Sequence, residues 1–259
     1  MKKILITGAA RGLGAALRDF LLAKGYYVYG TTRDCQNVTT AKNLEFLSLD
    51  LTDKASIDSL SDYFNDKSLD AIIHNSGIAY LDPADVLEDE ERRHIFDVNF
   101  FGPVYLTQKL LPLMRKANKG TLIFISSIVS IDPWPYLGVY AASKAALETV
   151  AFEWAVLLKK WNIDVSIIQP NPLPTDMQIC RSKNANKSPY PSLENRLLEW
   201  ENIEDVCKII YSILRDPSPK FSYQTGHYSK STADNILKET AYQFLLEKHQ
   251  NIFKELNKE

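Results

Sequence analysis

From residue 3 onward, short apolar runs alternate with longer amphipathic stretches. Lys3 to Thr7 has the length of a strand, and Leu13, Leu17, Phe20 and Leu21 then recur at helical spacing until Lys24-Gly25 ends the helix. Tyr26 to Thr32, Leu44 to Leu49 and Asp70 to His74 read as three more strands, with a helix reaching Phe64 before the last of them. A long helical region spans roughly Asp89 to Lys116 and carries Val98-Asn99-Phe100 in its middle. Gly120 to Ile125 is a fifth strand, and Ile163 to Gln169 a sixth. Between them Leu147, Ala151, Trp154, Leu158 and Trp161 mark the core-facing stripe of a helix that opens near Gly138.

Strands alternating with helices predict an α/β fold: a doubly wound parallel sheet, Rossmann-like, with helices on both faces. No linker divides the chain, so residues 1–259 read as a single domain. Beyond the sixth strand the polar, proline-rich stretch from Asp176 to about Ser192 reads as a mobile loop, followed by helices at Pro191 to Trp200 and Glu204 to Leu214. The region of about 176–200 is the expected substrate loop and helix. A last strand is expected at Phe221 to Tyr228, then a C-terminal amphipathic helix over about 233–256, whose mixed-charge polar face suits docking on protein better than on a membrane.

Composition narrows the function classes. The formal net charge is −2 and no Lys/Arg run occurs, which argues against a nucleic-acid partner. The three cysteines, Cys35, Cys180 and Cys207, are widely spaced and form neither a metal pattern nor a disulfide framework, as expected of a cytoplasmic protein. The N-terminal apolar run stops at Thr7-Gly8, too soon for a signal peptide, and no run approaches a membrane span.

The chemistry gathers where the strands end. Thr7-Gly8-Ala9-Ala10-Arg11-Gly12-Leu13-Gly14 places three glycines between strand and helix, where backbone can approach a pyrophosphate. Asp50-Leu51, Asn75-Ser76-Gly77, Ser126-Ser127 and Pro170-Asn171-Pro172-Leu173-Pro174-Thr175 follow other strands. Tyr140 and Lys144 lie four residues apart on one helix face. An ammonium about 6 Å from the phenol, at an effective dielectric near 20, favours the phenolate by roughly 2.8 kcal/mol and brings its pKa to about 8. A second positive charge, such as an oxidised nicotinamide, is needed to lower it further. Taken alone, such a pair is common on helix surfaces. Its weight comes from its company.

Together these residues resemble the short-chain dehydrogenase/reductase family, in its single-domain branch, well over Lys3 to Thr175 and loosely beyond. The resemblance implies that Thr7, Gly8, Arg11, Gly12, Leu13 and Gly14 form the cofactor turn. Asp50 and Leu51 meet the adenine, and Asn75 and Gly77 support the cofactor face. Pro170 and Thr175 approach the nicotinamide. It implies that Asn99, Ser127, Tyr140 and Lys144 are the catalytic set, since Ser127 lies thirteen residues before Tyr140 (140 minus 127). Tyr140 would move the proton, Ser127 would bond the substrate oxygen, and Lys144 would hold the nicotinamide ribose. Asn99 would kink its helix and connect Lys144 to solvent through water.

Departures from that pattern carry information. Pro170-Asn171 stands where Pro-Gly is usual, and Asn is expected to supply a left-handed turn there. Thr32 stands where NAD-using relatives place an acid, with Arg33 and Arg11 available for a 2′-phosphate, so NADP is expected and NAD, through Asp34, is the alternative. Ile78, Tyr80, Leu81, Trp134, Tyr136, Leu137, Met177, Ile179 and Tyr190 border the expected site and suggest an apolar carbonyl or alcohol substrate. The resemblance also implies a homodimer or homotetramer. Two other readings compete: an NAD(P)-binding sensor or scaffold without turnover, and a sugar-nucleotide epimerase, which needs a larger C-terminal domain. Retention of Tyr140 and Lys144 counts against the first.

Overall fold

A computed structural model describes residues 1–36, 38, 41–175, 178–188 and 201–236. The first half runs β1 (Lys3–Ile6), α1 (Gly12–Ala23), β2 (Tyr27–Thr32), β3 (Leu44–Ser48), α2 (Lys54–Tyr63) and β4 (Ala71–His74). After β5 (Ile78–Tyr80) come α3 (Asp89–Phe96), α4 (Gly102–Ala117), β6 (Gly120–Ile125), α5 (Gly138–Leu157) and β7 (Ile163–Gln169). The remainder holds β8 (Gln178–Cys180), α6 (Ile203–Ile213), β9 (Ser222–Gln224) and α7 (His227–Ile236).

Seven strands pair in parallel in the order β3-β2-β1-β4-β6-β7-β9. Strand order reverses beside β1, so a crevice opens where β1 and β4 end, the usual ligand position in such sheets. Continuous apolar strands such as Lys3–Ile6 and Ala71–His74 are buried because helices cover both faces. Leu106, Leu110, Met114, Leu147, Ala151 and Trp154 pack on one face, while Leu13, Leu17, Leu21, Val206 and Ile210 pack on the other. Each fully buried leucine contributes about 1.5–3 kcal/mol.

Several expectations need correction. The long helical region of Asp89 to Lys116 is present, but it runs as α3 and α4 joined by a π-helical turn over Asp97–Phe101. Its cause is visible at Asn99, whose side chain is spent on the Ile78 backbone (Nδ2 to O and Oδ1 from N, both 2.9 Å). The extra residue in that turn aims Asn99 inward.

The mobile loop expected from Asp176 is, at 178–188, a fastened segment. β8 pairs with β5, Ser182 N donates to Asp82 at 2.7 Å, Ser182 Oγ to Glu91 at 2.7 Å, and Lys183 N to Glu91 at 3.0 Å. Polar composition suggested a solvated loop, but these groups are satisfied by buried carboxylates. The last strand is shorter than expected, since left-handed Gly226 (φ 72°) ends it and α7 starts at His227. The helix expected at Pro191 to Trp200, and the C-terminal helix beyond Ile236, lie outside the described residues.

Candidate active site

The glycine turn is built for a ligand that comes very close. Gly8 and Gly12 have φ of 69° and 55°, values that L side chains avoid. A Cβ on Gly14 would lie 2.1 Å from the Gly8 carbonyl oxygen, and one on Gly8 would lie 2.7 Å from Ser76 Oγ. Arg11 precedes α1 with extended backbone and no side-chain cap, so the first-turn amides point at the turn without a side-chain acceptor. Leu13 is buried under it. Thr7 is fully buried, and its hydroxyl accepts from Asn75 N (2.9 Å) and Ser76 N (3.0 Å). Asn75 Nδ2 returns bonds to Thr7 O and Gly8 O at 2.9 and 3.2 Å. The ends of β1 and β4 are thereby locked together. A cradle that rejects a Cβ and offers unfilled amides fits the pyrophosphate of a dinucleotide.

Arg33, just past β2, and Arg11, in the glycine turn, are both exposed. Asp34 Oδ1 accepts from Gln36 N at 2.8 Å, engaging that carboxylate locally. Asp50 accepts from Thr52 N and Oγ1 at 2.9 and 2.7 Å. Although burial pushes its carboxyl up, the Thr52 bonds and the nearby Arg33 and His94 charges bring the pKa below the ordinary value. The helix that follows is capped by Asp53 and not by Asp50. Leu51 is buried, its carbonyl 2.5 Å from where a Cβ on Gly102 would stand.

α5 brings the reacting side chains together. Tyr140 and Lys144 are both buried, with Lys144 Nζ 5.8 Å from the phenol ring centroid and donating to Ile125 O at 2.9 Å. Ser127, just past β6, shares a hydrogen bond with the Tyr140 hydroxyl. Asn99 Nδ2 also reaches Ser143 Oγ at 3.1 Å, and a Cβ on Gly77 would stand 3.3 Å from Lys144 Nζ and 3.4 Å from Asn99 Oδ1. Asn99, Ser127, Tyr140, Lys144 and Gly77 thus meet within one small volume.

Two electrostatic expectations change. Burial pushes Tyr140 up to about 12, with only the Ser127 bond opposing it, so the ammonium does not bring the phenol near 8. Burial also pushes Lys144 down to about 8. Desolvation, absent from the sequence-based estimate, outweighs the pairwise attraction.

Pro170 O accepts from Ile128 N at 3.2 Å, tying the turn after β7 to the one bearing Ser127. Asn171 is not left-handed. Its side-chain oxygen accepts from Ser229 N at 2.8 Å and from Ser229 Oγ, and its backbone N donates to Glu201 at 3.1 Å. Asparagine is a buried clamp at this position. Thr175 N bonds Leu173 O at 2.8 Å, which leaves Thr175 at the rim of the described loop. Met177, Tyr190 and the Ile179 side chain lie outside the described residues.

Sequence reasoning passed over Glu148, a buried carboxylate one turn beyond Lys144, although the stripe of 140, 144 and 148 at four-residue spacing was readable. His74, fully packed against Phe124 (centroids 4.7 Å apart) and bonded to Thr107, is pushed down to about 3 and stays neutral. A cleft lined by Lys2, Lys24, Tyr26, Tyr211 and Arg215 lies around the N-terminal ends of β1 and β2, away from all of this.

Comparison with known proteins gives the family. The short chain dehydrogenase family model matches residues 2–186. An uncharacterised oxidoreductase of Schizosaccharomyces pombe is 33% identical over 248 residues, covering 87% of this chain and 82% of its own. A short-chain dehydrogenase from Burkholderia cenocepacia, solved with NADP, superposes with a TM-score of 0.76 at 21% identity, over 95% of this chain and 99% of the other. A 3-ketoacyl-(acyl-carrier-protein) reductase from Brucella melitensis, solved with NADH, gives a TM-score of 0.75 at 21% identity, over 86% and 96%. By the extent of the family match, this chain belongs to the short-chain dehydrogenases, oxidoreductases that act on the CH–OH/C=O pair.

Proposed function

We propose that this chain is an NADP(H)-dependent oxidoreductase that interconverts a ketone or aldehyde with its alcohol, using Tyr140 as general acid and base. The observation that carries the reading is the buried phenol of Tyr140, bonded to Ser127 and one turn from Lys144, beside a glycine turn that rejects side chains. When bound, the nicotinamide supplies or accepts hydride.

The chain's own residues do the rest. A phenol pushed up to about 12 holds its proton at neutral pH and is ready to give it to a carbonyl oxygen during reduction. Ser127 Oγ bonds the same oxygen as charge develops there. Lys144, held by Ile125 O, presents its charge to the phenol and to the cofactor ribose. Asn99 fixes the Ile78 backbone in front of them.

NADP is favoured over NAD because Thr32 ends β2, Arg33 and Arg11 are exposed, and the Asp34 carboxylate is engaged by Gln36. Gly8, Gly12 and Gly14 take the pyrophosphate; Asp50 and Leu51 border the adenine; Asn75, Gly77, Pro170 and Thr175 line the nicotinamide side. The substrate is apolar, since Ala79, Ile128, Val129, Ile131, Trp134 and Leu137 surround Tyr140. The protein works in the cytoplasm as a homo-oligomer, a point for size-exclusion chromatography with light scattering. Purified protein mixed with NADPH and a panel of carbonyls, followed by nicotinamide absorbance, tests the reading. Turnover of apolar ketones or aldehydes supports it; turnover only of small charged keto acids contradicts the substrate class.

A further inference from the structure

We infer that Glu148 is a positioning residue for this chemistry: its buried carboxyl fastens the turn that carries Ser127 to the helix that carries Tyr140 and Lys144. The inference rests on the function proposed above. A carboxyl is almost never buried without partners. Glu148 is 5% exposed, and its partners come from both sides of Ser127. Ser126 Oγ, one residue before, and Ser130 Oγ, three residues after, both bond Oε1. From β7, Gln169 Nε2 donates to Oε1 at 2.9 Å and Oε2 at 3.0 Å. Gln169 is anchored in turn by Gln224 Nε2 and by Ser222 Oγ at 3.2 Å, on β9. One carboxyl thus joins α5, the turn after β6 and the edge of the sheet.

The protons identify its working form. Ser130 Oγ lies 2.7 Å from Ser127 O, a carbonyl that can only accept. Ser130 has one hydroxyl proton, so with that proton on Ser127 O the one shared with Glu148 comes from the carboxyl. Glu148 is then an acid that donates to Ser130 and accepts from Ser126 and Gln169. Burial raises its pKa in the same direction, against the three polar bonds and Lys144. Glutamine keeps the link with its own pattern: its two amide protons can go to Ser130 Oγ and Ser126 Oγ while its oxygen accepts from Gln169; alanine supplies none.

Two readouts test this on the full chain. Hydrogen exchange of the cofactor-free protein reads the Ser126, Ile128, Ser130 and Ile131 amides, all of which are backbone-bonded. Glu148→Ala should speed their exchange at least tenfold, and Glu148→Gln should not. With NADPH and an accepted carbonyl, Glu148→Ala should lower kcat by about 10–100-fold, the cost of a misplaced reacting group. KM and NADPH affinity should stay within about threefold, whereas a merely structural loss would move stability and leave kcat per NADPH-binding site unchanged. Should Glu148→Ala not fold, Ser130→Ala cuts the link from the other side and is read in the same two ways. Unchanged exchange, unchanged kcat, or a Gln variant as damaged as the Ala variant would overturn the inference. Undiminished transfer by Tyr140→Phe would instead overturn the reading of the site, while exchange alone still decides the fastening.

Discussion

Lys144 stands 5.8 Å from the centre of the Tyr140 ring and spends a hydrogen bond on the carbonyl of Ile125. The two polar groups to which the proposal gives cofactor and substrate contacts are thus both buried. Burial has opposite effects on them: it pushes Lys144 down to about 8 and Tyr140 up to about 12, so each is held nearer its neutral form.

This has a measurable cost. Lys144 falls from 10.5 to about 8, equivalent to about 3 kcal/mol of destabilisation while the side chain is charged. Between those values the unfolded chain holds the proton and the folded chain releases it. The cost is therefore full below about pH 8 and fades as pH climbs towards 10.5. Lys144→Met should be at least as stable as the parent at pH 7 and lose that advantage by pH 10. Tyr140 enters this balance only above its ordinary value of 10, where the unfolded chain gives up the phenol proton first. Urea unfolding of both proteins from pH 6.5 to 10 checks it; a stability difference that does not change with pH would contradict it.

Arg33→Ala should weaken NADPH binding by about 10–100-fold, the worth of one charge-assisted bond to the 2′-phosphate. NADH binding should change by less than about threefold. Fluorescence titration of both cofactors decides it. Equal losses for the two, or a parent that binds NAD more tightly, would contradict NADP preference.

Asn171→Gly should cost about 1–3 kcal/mol, because it leaves Ser229 and its neighbours without a buried acceptor. The change restores the residue usual for the family and yet should destabilise this chain. Thermal unfolding of the variant against the parent tests it, and an unchanged or raised Tm would count against the clamp.

Much of this was legible in the sequence, because strand and helix periods are local signals and the polar clusters fall at strand ends. Gly8, Gly12 and Gly14 announced a turn that tolerates no side chain. What could not be read depends on contacts between distant residues. Ser182 meets Asp82 across 100 positions, and Asn171 meets Ser229 across 58, so residues 178–188 of the expected loop are pinned and an expected turn residue is a clamp. The π-helical turn follows from where Asn99 finds partners on Ile78, which periodicity does not record. The pKa of Tyr140 was misjudged because charge spacing is visible in a sequence and desolvation is not.

The central claim is that the Tyr140 hydroxyl moves the proton. Tyr140→Phe removes that hydroxyl and keeps the ring in its apolar surroundings. Single-turnover hydride transfer from NADPH to an accepted carbonyl, with NADPH binding measured on the same sample, tests the claim most directly. Transfer should fall by about 10²–10⁴-fold, the usual worth of a positioned acid or base, while NADPH binding stays within about threefold. Transfer at the parent rate would remove Tyr140 from the chemistry.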